Sequence, residues 1–97
     1  MTTPALEHLV GAYFHQDWAD EFDDDPDRAV DAFVRDSPTV APRLPREVDE
    51  LLLKLSNEDS IHSHLASLGS HFTPAPEDGS YREWLASVAN RVRAATS

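Results

Sequence analysis

The chain of 97 residues has no cysteine, one methionine, three glycines and only eight basic residues. Without cysteine it can form neither a disulfide nor a thiolate metal site, which suits a reducing compartment. No apolar run approaches the roughly 18–20 residues that cross a bilayer. The sequence has no basic start followed by an apolar segment, so we predict no signal peptide. The length predicts a single domain, 1–97.

Basic residues are scarce relative to the 18 acidic ones, so the formal net charge is −10. Such a chain repels phosphate backbones and anionic membranes, which argues against nucleic acid or a membrane as its partner. The charge is also uneven. Residues 1–36 carry ten acids against two arginines, whereas residues 37–97 carry eight acids against six bases. A basic partner is therefore favoured, because opposite fields accelerate encounter; a surface that is merely soluble is the alternative.

Apolar spacing and capping signals predict an all-α fold, a compact bundle of about five short helices. Thr3-Pro4 and Asp25-Pro26 each place a capping residue before a proline at the first helical position. Three further helix starts are predicted at Pro45, Ser56 and Ser80. No segment alternates with period two for long enough to predict a strand.

The segments between these helices are predicted to be irregular. Gly69 stands where a left-handed cap would end the fourth helix. Residues 17–25 contain no start signal before Asp25. Residues 37–45 contain three prolines and are typical of an extended connector, and residues 70–79 are typical of a loop.

The segment that begins at Leu9 joins an aromatic stretch, residues 9–18, to an acidic run, residues 20–27. Trp18 is expected to fold back onto the core. Phe22 is flanked by acids in the sequence. It either packs into the core or anchors an interface. In a functional interpretation, the acids form a patch that binds lysine and arginine side chains of a partner. In the alternative, they belong to a solvated loop and to the start of a helix. The candidate partner-binding residues are Asp17, Asp20, Glu21, Phe22, Asp23, Asp24, Asp27 and Asp31.

Metal binding and catalysis have little support in the sequence. The acidic run lacks the central glycine and terminal glutamate of an EF-hand loop, and the five histidines lack zinc-binding spacing. No glycine-rich elbow accompanies a serine, and no phosphate-cradling loop is present. We therefore predict no enzyme, no metal and no cofactor. His15 and His71 are expected to lie partly buried beside the core. Histidine protonation in mild acid is expected to weaken binding to a basic partner.

Four short motifs carry a family resemblance: Gly11-Ala12-Tyr13-Phe14-His15-Gln16-Asp17-Trp18, Asp25-Pro26, Ala29-Val30-Asp31-Ala32-Phe33 and Ser80-Tyr81-Arg82-Glu83-Trp84-Leu85. They resemble the opening and the C-terminal signature of CdiI-type immunity proteins, from bacterial contact-dependent growth inhibition systems. The resemblance implies a small cytoplasmic helical protein that binds and neutralises the C-terminal toxin domain of a cognate exported effector. The strong negative charge adds the expectation of a toxin with a basic surface, such as a nuclease.

Two alternatives of other classes remain open from the sequence. One is an acidic adaptor or nucleic-acid mimic that binds a different basic host protein. The other is a metal-responsive regulator, which a calcium- or zinc-dependent shift in melting temperature would identify.

Overall fold

The computed structural model describes residues 3–74 and 79–96. Over these residues the chain forms six α-helices and no strand. None of these helices is long and apolar enough to cross a membrane. The helices are α1 Pro4–Tyr13, α2 Trp18–Glu21, α3 Pro26–Asp36, α4 Leu44–Lys54, α5 Glu58–Ser67 and α6 Tyr81–Thr96. The all-α prediction is confirmed, and every helix except α2 is among the five expected from the sequence.

Two segments predicted as irregular contain short helical turns. In α2, the carbonyl oxygen of Asp17 accepts hydrogen bonds from the amides of Asp20 and Glu21, both at 3.2 Å. The second turn is a 3₁₀ helix, Ala41–Arg43, which leads directly into α4. Elements of three or four residues are too short to show an apolar period, so periodicity does not detect them.

Local caps set several helix ends as the sequence predicts. The carboxylate of Asp25 accepts a hydrogen bond from the amide of Asp27 at 3.0 Å, and the hydroxyl of Ser80 accepts one from the amide of Glu83 at 3.1 Å. Gly69 ends α5 with φ of +98°, in the left-handed region where glycine avoids the clash of a Cβ atom. Each signal lies within three residues of the helix end that it sets.

The predicted cap of α5 at Ser56 is wrong by one residue. The side-chain oxygen of Asn57 accepts from the amides of Asp59 at 2.7 Å and Ser60 at 3.2 Å. Asparagine is as good an N-cap as serine, and both stand before the same helix. The sequence therefore predicts the start of α5 correctly, but the cap is the residue after the one predicted.

Two helices are capped by glutamates of other helices. Glu47 of α4 accepts hydrogen bonds from the backbone N–H groups of Ala5 at 2.9 Å and Leu6 at 3.0 Å, at the start of α1. Glu58 of α5 accepts from the amide of Tyr81 at the start of α6. These contacts join α1 to α4 and α5 to α6, so the helix ends and the tertiary fold are stabilised by the same side chains.

Four aromatic rings close one part of the core. Phe14, Trp18, Phe72 and Trp84 form five ring pairs, all except that of the two tryptophans, with centroids between 4.5 and 5.3 Å apart, a range in which tilted and edge-on pairs attract. Trp18 is only 9% exposed, which confirms the expectation that it folds back. Phe72 comes from the segment after α5, which is attached to the end of α1 by the hydrogen bond from the amide of His71 to the carbonyl oxygen of Phe14.

Candidate partner-binding site

The predicted partner-binding residues lie on α2 and its flanking residues and on the first two turns of α3. We call this set the acidic face: Asp17, Asp20, Glu21, Phe22, Asp23, Asp24, Asp27 and Asp31. All seven carboxylates are exposed, and Phe22 is half-buried against the core. The fold therefore leaves all seven carboxylates of the set open to solvent.

The turn between α2 and α3 uses an unusual backbone. Asp23 and Asp24 have φ values of +55° and +58°, the left-handed region that aspartate tolerates better than most residues. The amide of Asp24 donates to the carbonyl oxygen of Ala19 at 2.8 Å, and the amide of Asp25 donates to that of Phe22 at 3.0 Å. These bonds hold the acidic run in a defined turn.

Arginines from within the chain compensate part of the acidic face. Arg91 of α6 donates two hydrogen bonds of 2.8 Å to the carboxylate of Asp31 and lies 3.6 Å from that of Asp27. The hydrogen bonds from Arg91 lower the pKa of the Asp31 carboxyl below its ordinary value. Arg28 similarly lies 2.6 Å from Asp23. Asp27 and Asp31 on α3 therefore share one cation, and Asp23 in the turn has another, so these three acids are partly compensated.

The carboxylates on and beside α2 are largely uncompensated by cations of the described residues. Asp17, Asp20 and Asp24 form no ion pair with any residue in the described part of the chain. The carboxylate of Glu21 lies 3.3 Å from Nε2 of His15, a half-buried ring as the sequence predicted. The uncompensated negative field is thus concentrated on α2 and its flanks.

A groove of about 290 Å³ lies between the end of α2 and α3. It brings Asp31 of α3 next to two consecutive members of the acidic face, Glu21 and Phe22. Four of its lining residues stand at positions 28, 31, 32 and 35, a spacing that places them on one face of α3. Sequence analysis missed the α3 residues other than Asp31, although this spacing could have identified them. The groove is lined by Glu21, Phe22, Arg28, Asp31, Ala32 and Arg35.

Polar contacts fix the residues behind this groove. The hydroxyl of Tyr13 donates to Asp36 at 3.2 Å, and Nε of Arg35 donates to the other oxygen of the same carboxylate at 3.1 Å. Burial and, after it, the charge of Asp36 raise the pKa of Tyr13. The ring of Tyr13 lies 6.1 Å from that of Phe22. Phe22 is therefore supported from behind, while its half-exposed side lines the groove.

The remaining acids and histidines do not converge. Within residues 3–74 and 79–96, no group of three or more histidine, aspartate or glutamate side chains is placed to hold a metal ion. His8 is hydrogen-bonded to the hydroxyl of Ser37 at 3.0 Å. His71 is exposed, so its predicted partial burial is wrong; its backbone amide, not its ring, makes the contact with Phe14.

The fold and this surface define a small acidic helical protein with an extended, exposed patch of carboxylates. The chain belongs to the CdiI immunity protein family, whose family model matches residues 2–92. This match confirms the resemblance carried by the motifs in both halves of the chain. Membership implies a cognate toxin as the partner, and proteins of this family are generally not enzymes. Comparisons with curated proteins and with solved structures found no match.

Proposed function

We propose that this protein neutralises its cognate toxin by covering a cationic surface of the toxin with the acidic face. The observation that carries the proposal is the set of uncompensated carboxylates, Asp17, Asp20 and Asp24, on and beside α2. A charge that is exposed and has no partner in its own chain can pair with a partner's lysine or arginine without first breaking an internal ion pair.

A nuclease is the toxin class that this charge fits best. A nuclease must hold phosphate groups with cationic side chains, and those cations would meet the acidic face. Complementary fields can raise association rate constants to about 10⁸–10⁹ M⁻¹s⁻¹ at low salt, a useful property in an inhibitor that must reach a toxin before its substrate does. We expect the two proteins to meet in the cytoplasm.

The test is the rate at which the protein binds the toxin domain encoded by the neighbouring gene, followed by rescue of growth. A triple neutralisation of the acidic face is compared with a matched triple neutralisation of exposed acids elsewhere. We expect the first to slow association by roughly tenfold at low salt, and the second to change it less than about twofold. The test variant is D17N/D20N/D24N, and the control is E7Q/E50Q/D59N.

The two triple variants have the same net charge, so they separate location from total charge. Equal slowing by both variants would refute the acidic face as the binding surface. Failure of the neighbouring gene product to bind the unaltered chain would refute the toxin assignment. The unfolding midpoint of each variant in urea checks that the fold is intact.

A further inference from the structure

The charges that line the groove beside the acidic face cancel. Glu21 and Asp31 contribute two negative charges, and Arg28 and Arg35 contribute two positive ones. The surroundings differ, since three carboxylates of the acidic face have no ion-pair partner among the described residues. The groove is therefore a nearly neutral recess within a negative surface.

Each charged side chain that lines the groove already contacts a charged or titratable residue outside it. An incoming lysine or arginine would find Asp31 paired with an arginine and would lie beside two guanidinium groups. An incoming carboxylate would instead lie beside two acids. Like charges at close range oppose binding in either case. The existing contacts are Glu21 with His15 at 3.3 Å, which is an ion pair only when the histidine is protonated, Arg28 with Asp23 at 2.6 Å, Asp31 with Arg91 at 2.8 Å, and Arg35 with Asp36 at 3.1 Å.

The uncharged part of the groove is suited to a ring. Phe22 offers a half-exposed aromatic surface, and Ala32, which is 5% exposed, leaves space above α3. The aliphatic stems of Arg28 and Arg35 add apolar walls, while their guanidinium groups can lie over the face of a bound ring. A volume of about 290 Å³ accommodates one side chain of this kind.

We propose that the groove receives an aromatic side chain of the toxin, a tyrosine or tryptophan, while basic residues around that side chain pair with the acidic face. The inference rests on the proposed function, because it assigns the groove and the acidic face to one partner. Aromatic side chains that enter a pocket at the centre of a contact, with polar residues around them, commonly supply most of the binding energy of an interface.

The free chain can be tested with side-chain analogues. Amide chemical shifts are followed during titration with p-cresol, the analogue of tyrosine, and separately with n-propylguanidinium, the analogue of arginine. We expect p-cresol to shift the amides of Phe22 and Ala32 in a saturable way, with a dissociation constant of roughly 1–10 mM for a fragment of this size. Tighter binding of n-propylguanidinium at these amides would overturn the inference, as would shifts from p-cresol that do not saturate there.

The complex provides a second test with a matched pair of variants. Arg35→Ala removes one wall of the groove, and Arg46→Ala removes the same charge from an exposed position on α4. We expect Arg35→Ala to raise the dissociation constant of the toxin domain about five- to tenfold relative to Arg46→Ala. Equal constants for the two variants would overturn the groove inference while a complex still forms. Absence of any complex with the unaltered chain would instead overturn the proposed function.

Discussion

Replacing Glu47 by alanine should destabilise the fold more than any other single change to an exposed or half-buried acid of α4. The first helix begins with Pro4, which has no N–H group, and the amide of Glu7 is bonded to the carbonyl oxygen of Thr3 at 2.8 Å. The amides of Ala5 and Leu6 are left without a partner in their own helix. Both donate to the Glu47 carboxylate.

The side chain that would ordinarily cap α1 is engaged elsewhere. Thr3 precedes the helix, but its hydroxyl is hydrogen-bonded to Nε2 of His64 at 3.0 Å. Glu47 therefore takes the role that a local cap would have, across 42 residues of sequence. Its negative charge also lies at the positive end of the α1 dipole.

The magnitude follows from the burial of the two donors. Ala5 is 1% exposed and Leu6 is fully buried, so Glu47→Ala would leave two buried N–H groups without an acceptor. Hydrogen bonds to a charged acceptor contribute about 1.5–3 kcal/mol each, but Glu47 is half-buried, so water can reach part of the vacated space. We expect a loss of about 2–4 kcal/mol in the free energy of unfolding, and a fall in Tm of roughly 10–25 °C. Glu47→Gln keeps an acceptor and should cost about 1 kcal/mol.

The assay is urea unfolding followed by far-ultraviolet circular dichroism. Glu50→Ala is the matched control, because it removes an exposed acid from the same helix and should change stability by less than about 0.5 kcal/mol. If Glu47→Ala costs no more than Glu50→Ala, the cap across the two helices does not stabilise α1.

Two further predictions concern arginines of α6. Arg82 donates hydrogen bonds of 3.0 and 2.6 Å to carbonyl groups at the end of α4. Arg82→Met should therefore lower the free energy of unfolding in urea by about 1–3 kcal/mol. The control Arg93→Met removes an exposed ion pair and should lower it by less than about 1 kcal/mol. Arg91→Gln should raise the lowered pKa of Asp31 towards its ordinary value of 3.8 and cost roughly 0.5–1 kcal/mol near neutral pH, because the pair is exposed. The folded-state pKa of Asp31 is depressed, so this contribution is present above pH 3.8 and disappears as the pH falls through the lowered pKa; a difference between the two proteins that stays constant from neutral pH down through this whole range would contradict it.

The capping interactions show which part of the fold could be predicted. Asp25, Ser80 and Gly69 act within three residues of their own positions, and the sequence identified all three. Glu47 and Glu58 act on helices that are remote in sequence, and no local pattern distinguishes them from other acids of amphipathic helices. Predicting their role requires the packing of the helices, which the caps themselves help to determine.

The candidate site shows a similar division. The run of acids and its exposure follow from composition, because adjacent carboxylates are costly to bury. Composition does not show which acids lack an internal ion pair, since Asp31 is paired with Arg91, 60 residues away, and Asp23 with Arg28. Summing charges over residues 1–36 treated these acids as equal. The three-dimensional pairing separates the α2 half of the acidic face from the α3 half.

The uncompensated charge lies on and beside α2, the shortest α-helix in the described part of the chain, and this placement has a physical reason. A helix of four residues with several like charges around it is not stable alone, because nucleation is unfavourable and the carboxylates repel one another. Trp18 starts α2 and is buried against Phe14 and Phe72, at centroid distances of 5.3 and 5.2 Å. Burial of so large a side chain contributes about 1.5–3 kcal/mol or more, enough to hold one turn of helix against that repulsion. The aromatic residues thus hold α2 to the core, so that its acids can remain without internal partners.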